Sequence, residues 1–448
     1  MSGAAGRAAP PYSDRMPLPP SARRDPAGWL QVGGCDLATL AAEHGTPLYV
    51  FDEQLLRERL RTWRTAVERW PGGGEVRYSA KAYFGLAMAA LCVEEGCGVD
   101  VVSGGELETA LRGGVAAADI AFPGNNKSAD EVAAARAAGI GHLVVDSLHE
   151  LDLVAGLPAG RPLPALLRLS PGVRPDTHAG IATGQLDSKF GFPIAGGAAT
   201  AALERALHEP NLAVAGVHFH VGSQLAVADA VADAATVVAG WLADVRDRIG
   251  FEATVLSVGG GLGVVHTSDD RITDIDTFLS KVTTTLQAAL EGRGLRLPRL
   301  HVEPGRSVAG PAAVAVYAVG ARKAVPGVRT FLAVDGGMAD NPRPQLYGAR
   351  YEVLPVHDDP AVTERETVTV VGRYCETTDV IARDVSLPPL SPGALVVVPA
   401  AGAYTLAMAS NYNSVPRPAV AFVAEGRARL VRRRETVDDL LATEVVAS

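Results

Sequence analysis

Lysine is scarce in this chain: there are five, against 36 arginines, so arginine carries nearly all of the positive charge. Cysteine is scarcer, at four, and Cys35, Cys92, Cys97 and Cys375 make neither a CxxC pair nor a disulfide framework. That spacing excludes a disulfide-stapled scaffold and points to a reducing cytoplasm. No apolar run suits a membrane span, which needs about 20 unbroken residues. The longest uncharged stretch, Val385 to Pro416, is interrupted by prolines at 388, 389, 392, 399 and 416. Residues 1–26, rich in Pro, Ala and Arg, lack the apolar core of a signal peptide and read as a disordered tail. A net charge of −9 argues against a nucleic-acid or anionic-membrane partner.

What is present is a chain of 448 residues, 48% apolar and 20% charged, long enough for two substantial domains. From Pro47 to Ala309 short apolar runs alternate with helical patterns such as Glu53–Glu68, Asp130–Ala138 and Ile275–Glu291. The runs are Leu48–Phe51, Val76–Ala80, Gly98–Val101, Ile120–Ala121, His142–Val145, Ala165–Leu169, Ala213–His220, Thr254–Val258 and Arg299–Val302. Alternation on this scale predicts a parallel sheet closed into a (β/α)8 TIM barrel. After Ala309 the texture turns to β-rich runs separated by Pro, Gly and Asp, which predicts an antiparallel β domain. The expected divisions are a tail over 1–26, a segment over 27–50 joining the β domain, a barrel over 51–312 and a C-terminal β domain over 313–448.

Against so few lysines, Lys81 stands out: it follows a strand, in Tyr78-Ser79-Ala80-Lys81-Ala82-Tyr83. A desolvated lysine amine can lose its proton and form a Schiff base, which arginine cannot do. That chemistry suggests an aldehyde cofactor, with pyridoxal 5'-phosphate (PLP) the leading candidate. A lysine snorkelling from a strand end would look the same in isolation.

Other candidates sit at strand ends, where a barrel collects its reactive groups. His218 and His220 share a strand face, a legitimate metal-ligand spacing, so a metal-dependent barrel hydrolase stays open if His301 and Glu303 join them. Gly259-Gly260-Gly261 could wrap a phosphate or simply turn the chain, and it lacks the dinucleotide fingerprint. Glu303-Pro304-Gly305-Arg306 offers a carboxylate for a pyridine nitrogen and a fork for an anion, or an ion pair capping the strand. Arg343, stiffened by Pro342 and Pro344, suits a substrate carboxylate or an exposed loop. Cys375-Glu376 offers a proton donor and an anchor, or a buried turn, and Tyr404 a phenol donor or a core residue.

Read in order, these segments resemble the fold-type III, alanine-racemase-like PLP decarboxylases, specifically their diaminopimelate-decarboxylating branch. The similarity rests on Tyr78-x-x-Lys81-Ala82, Gly98–Ser103, His220-x-Gly222-Ser223-Gln224, Gly259–Gly261, Glu303–Arg306, Arg343-Pro344-x-Leu346-Tyr347, Cys375-Glu376 and Gly402-Ala403-Tyr404. It runs from about Trp29 to Glu444. The resemblance implies that Lys81 holds PLP as a Schiff base, with Asp100 in the cofactor site, Glu303 on the pyridine nitrogen and His220 against the ring. Ser223, Gly261, Gly305 and Tyr404 would hold the phosphate, and Arg306, Arg343 and Tyr347 a substrate carboxylate. Cys375 and Glu376 would enter from the partner of a homodimer, one donating a proton and the other binding the distal ammonium. Lys189 and Asp379 would pair across the subunits, and no metal is expected. The implied reaction converts meso-2,6-diaminopimelate to L-lysine and CO2, the last step of lysine biosynthesis. A different amino acid in a secondary-metabolite pathway is the alternative. Thr377 stands where the resemblance expects Ser, and Arg350-Tyr351 and Arg373-Tyr374 also depart from the pattern.

Overall fold

A computed structural model describes residues 16–173 and 188–445. The chain divides into two compact units, described in turn: one comprises 57–264 and 271–308, the other the remainder.

The first unit is the barrel. Eight strands pair in parallel in chain order: Gly74–Ser79, Gly98–Asp100, Ile120–Phe122, His142–Val145, Leu163–Ser170, Leu212–Phe219, Val255–Ser257 and Arg299–Val302. The last returns to the first, with His301 opposite Glu75, which closes the cylinder. Helices fill the crossovers, as parallel pairing demands. Within Glu53–Glu68, Leu60, Trp63 and Val67 recur at helical spacing and are buried. Trp63 donates its indole N–H to the Ser307 hydroxyl at 3.1 Å, so the helix is tied as well as packed.

The barrel carries a buried ion pair that the sequence did not signal. Lys127 and Glu150 have side chains 1% exposed, with Nζ 2.7 Å from Oε1. Nζ also donates to the carbonyls of Gly124 and Val144, while the backbone N–H of Asp146 donates to Glu150. Burial lowers the Lys127 pKa and the Glu150 charge opposes that shift. Removing one partner strands a desolvated charge. Lys127→Met is therefore expected to lose about 3–5 kcal/mol of stability, read by denaturant unfolding, with part recovered in Lys127→Met/Glu150→Gln.

The second unit is built on one long strand, Ala313–Val325. Its first half lies between Leu48–Asp52 and Leu395–Val398, and its second half pairs with Arg329–Val334. The sheet then extends through Glu366–Val371 to Val380–Leu387, and on the other side through Ala419–Ala424 to Arg427–Arg432. Most pairings are antiparallel, as expected. Two are parallel: Arg329–Val334 with Glu366–Val371, and Leu48–Asp52 with Ala419–Ala424. The sheet is mixed because a strand from before the barrel lies beside one from near the chain's end. Leu48–Phe51, expected at the head of the barrel alternation, belongs to this sheet.

The tail expected over 1–26 is corrected for residues 16–26; residues 1–15 lie outside the described set. Leu18 and Ala22 are buried with Val314, Val316 and Val397. Arg23–Arg24 pairs with Leu30–Gln31, and Arg24 donates to the carbonyls of Gly28, Pro355 and Val356. Composition read this segment as disordered because its apolar residues are isolated singles, each of which finds a place in the core.

Candidate active site

The barrel's C-terminal end gathers Lys81, Asp100, His220, Ser223, Gly261, Glu303, Gly305 and Arg306. Lys81 occupies one 3-10 turn, Ala80–Ala82, directly after the first strand. Ala80 and Ala82 are buried while Lys81 is exposed, so packing of its neighbours fixes the turn, and the Lys81 charge acts on Asp100, His220 and Glu303.

Glu303 follows the last strand and is 8% exposed. Oε1 accepts from the Ser257 hydroxyl at 2.7 Å, and Oε2 lies 3.0 Å from His218 Nε2. Burial alone would raise its pKa. The charge and hydrogen bond of His218, the Ser257 bond and the Lys81 charge outweigh burial and hold it below the usual carboxylate range. Asp100, at the end of the second strand, moves the other way. Burial first, then the Glu303 charge, push it up to about 7, against the pull of Lys81 and Ser79. The Ser79 hydroxyl donates to its Oδ2 at 3.0 Å, while its buried Oδ1 has no hydrogen-bond partner among the described residues. The barrel mouth thus holds two carboxylates whose environments drive their proton affinities apart, a mark of an acid–base site.

His220 lies just past the sixth strand. Burial, then the charges of Lys81 and Arg168, hold its pKa well below normal, so the ring is neutral near pH 7. Its Nδ1 faces the Gly260 N–H at 3.3 Å and must accept, which leaves the proton on Nε2. Side chains are excluded from this loop. A Cβ on Gly260 would fall 2.2 Å from the Glu303 carbonyl, and Gly261, at φ +128°, would meet the Gly222 carbonyl at 2.7 Å. Arg306, 5% exposed, brings Nε and Nη2 to 3.1 and 3.0 Å from the Ser223 hydroxyl.

Arg343, Tyr347, Cys375, Glu376 and Tyr404 lie in the second unit. Arg343 and Tyr347 open and close one short helix. Arg343 is not the exposed loop residue that its surroundings allowed: it is 4% exposed. Cys375 and Glu376 project from a turn pinned by Asp379, whose oxygens accept from the backbone N–H of Met338 at 2.7 Å and Tyr374 at 2.8 Å. Asn413 Oδ1 accepts from the Cys375 N–H at 3.0 Å. Tyr404 is a non-glycine residue at φ +57°, a conformation held only where surrounding structure dictates it.

The metal alternative fails on these contacts. His218 is committed to Glu303, while both ring nitrogens of His301 face Arg77 and Glu75 and its ring packs edge-on against His142. Among the described residues no group of three or more His, Cys, Asp or Glu is placed to hold a metal ion.

Residues 53–310 match the family model for the pyridoxal-dependent decarboxylases, specifically its pyridoxal binding domain. The chain belongs to the pyridoxal-dependent decarboxylase family. It is 40% identical to diaminopimelate decarboxylase of Bacillus subtilis over 95% of this chain and 97% of that one. It is 43% identical to diaminopimelate decarboxylase of Mycobacterium tuberculosis, covering 95% of this chain and 97% of the relative. The crystal structure of diaminopimelate decarboxylase from M. jannaschii in complex with L-lysine superposes with a TM-score of 0.89 at 32% identity, covering 96% of this chain and 99% of that one. The family's cofactor suits what the barrel offers: a lysine directly after the first strand, a carboxylate held ionised, a neutral imidazole, and a glycine loop beside a buried guanidinium.

Sequence reasoning missed the support behind these groups. By spacing His218 is a candidate metal ligand, yet it orients Glu303, and Ser257 does the same from the strand between them. The signal was the pairing of His218, Ser257 and His301 across three adjacent strands, with Glu303 two residues further on. Arg168, buried against Asp146 at 3.2 Å, gave no local signal.

Proposed function

We propose that this chain decarboxylates meso-2,6-diaminopimelate at its D-configured α-carbon, giving L-lysine and CO2, with PLP as cofactor. The observation that carries the reading is full-length identity of 40–43% to proteins named for that reaction. The buried, ionised Glu303 beside the exposed Lys81 supports it from the geometry.

Lys81 would hold the cofactor through its amine. Pyridoxal phosphate supplies an electron sink for the pair left when the carboxylate departs as CO2. Glu303, oriented by His218 and Ser257, keeps a proton on the ring nitrogen. Asp100 backs the same site with a carboxyl that carries its proton to about pH 7. His220 presents an uncharged face to the ring. Ser223, Gly261, Gly305, Arg306 and Tyr404 bind the phosphate, the glycines through backbone N–H groups. Arg306, Arg343 and Tyr347 bind a substrate carboxylate, Glu376 takes the distal ammonium, and Cys375 returns a proton to the α-carbon.

In this reading the working unit is a homodimer in which Cys375 and Glu376 serve the partner's barrel. Their exposure on a turn pinned by Asp379 supports it. The expected Lys189–Asp379 pair across the subunits is corrected: Asp379 is 3% exposed, and its two oxygens accept from the backbone N–H groups of Met338 and Tyr374 in its own chain. Among the described residues no helix is long and apolar enough to cross a membrane, and an exposed thiol with a working proton suits a reducing cytoplasm.

The test compares kcat/KM for meso-diaminopimelate, L-ornithine, L-arginine and D-lysine with PLP present. A preference of at least about 10²-fold for meso-diaminopimelate is expected, because a site built for a distal carboxylate rejects amino acids that lack one. A higher value for any of the others would assign the enzyme to that amino acid.

A further inference from the structure

Arg343 is 4% exposed, and among the described residues no carboxylate lies within ion-pair distance of it. Its hydrogen-bond partners are neutral. Nη1 lies 2.6 Å from His266 Nε2 and donates to the Tyr351 hydroxyl at 2.5 Å. The guanidinium carbon stands 5.5 Å from the Tyr351 ring centroid, and the His266 and Tyr351 rings meet edge-on at 5.3 Å. Nε is buried with no hydrogen-bond partner among the described residues. A desolvated cation with no counter-charge is costly unless a ligand provides one. A guanidinium offers only donors, so His266 Nε2 must accept, which places the imidazole proton on Nδ1.

The two partners are held from elsewhere. His266 lies in Val265–Asp270, a segment that belongs to the second unit although barrel residues flank it on both sides. Asp270 Oδ2 accepts from the backbone N–H of His266 at 2.8 Å and of Thr267 at 3.0 Å, which fixes the turn. Tyr351, 5% exposed, follows the helix that carries Arg343.

We infer that His266 and Tyr351 are positioning residues for substrate specificity: by binding Nη1 of Arg343, they set its fork to read the carboxylate at the non-reacting, L-configured end of the substrate. The inference rests on the proposed reading of Arg343 as a carboxylate ligand and names what aims it. Neither residue touches the reacting atoms, so the effect falls on binding and on discrimination between substrates.

The experiment uses the full-length holoenzyme and the variants His266→Phe, His266→Gln, Tyr351→Phe and Arg343→Met. For His266→Phe, which keeps a ring but removes the acceptor, KM for meso-diaminopimelate and Kd for L-lysine by calorimetry are expected to rise about tenfold, with kcat within twofold. kcat/KM for D-lysine, which lacks the distal carboxylate, is expected to stay unchanged. His266→Gln, which restores an acceptor oxygen, is expected to recover most of the loss, and Tyr351→Phe to show a smaller rise of the same kind. Unchanged KM and Kd in His266→Phe, beside a large rise in Arg343→Met, would overturn the inference and leave the reading of Arg343 standing. Equal losses on D-lysine would also overturn it, since they would mark a structural role. Unchanged KM and Kd in Arg343→Met would remove the reading beneath it.

Discussion

Glu303→Gln is expected to lower kcat by ~10²–10³-fold while the cofactor stays bound. The amide preserves shape and can still accept from Ser257, whose hydroxyl stands 2.7 Å from Oε1. What it lacks is negative charge. His218, Ser257 and Lys81 together overcome burial to keep Glu303 ionised, and that ionised group is what would hold a proton on the cofactor ring. The checks are steady-state turnover and the cofactor absorbance band of the purified variant. His218→Phe, which removes one orienting contact but leaves the carboxylate, is expected to cost less in the same direction. Full turnover in Glu303→Gln would contradict the assignment of the electron sink's partner.

The second large effect concerns assembly. Lys81→Ala and Cys375→Ala are each expected to be nearly inactive alone, the latter through loss of a proton donor that contributes about 10²–10⁴-fold. Mixed and allowed to exchange subunits, they are expected to regain activity, up to about a quarter of wild type. Half of the dimers are then hybrids, and each hybrid holds one site with both groups intact. The observation behind this is that Cys375 and Glu376 are exposed on a turn whose backbone is fixed by Asp379 and Asn413. Activity of the mixture no higher than that of the separate variants would show that each chain completes its own site.

Local pattern carried most of the fold. His142–Val145 and Arg299–Val302 begin and end where the sequence pattern places them, because each is bounded by turn residues or polar breaks. Val380–Leu387 shows no such continuous pattern. Arg383 and Asp384 interrupt its apolar run, Asp384 takes φ +54°, and the ladder to Glu366–Val371 slips in register beside it. The parallel pairing of Leu48–Asp52 with Ala419–Ala424 was not legible, since no local signal links strands that far apart. The resemblance named single residues of the site because each stands in a short motif at a strand end. His266 and Tyr351 escaped it: His266 is 77 positions from Arg343 and carries no motif of its own, and Tyr351 was noted only as a departure from the pattern. Contacts of that kind exist only once the chain is folded.

The central claim is tested most directly by following L-lysine formed from meso-diaminopimelate, with and without added PLP, for wild type and Lys81→Ala. The account predicts L-lysine and CO2 in equal amounts from the wild type, dependence on PLP, and loss of both products in the variant. A PLP absorbance band without L-lysine would contradict the substrate, and L-lysine formed equally by Lys81→Ala would contradict the mechanism.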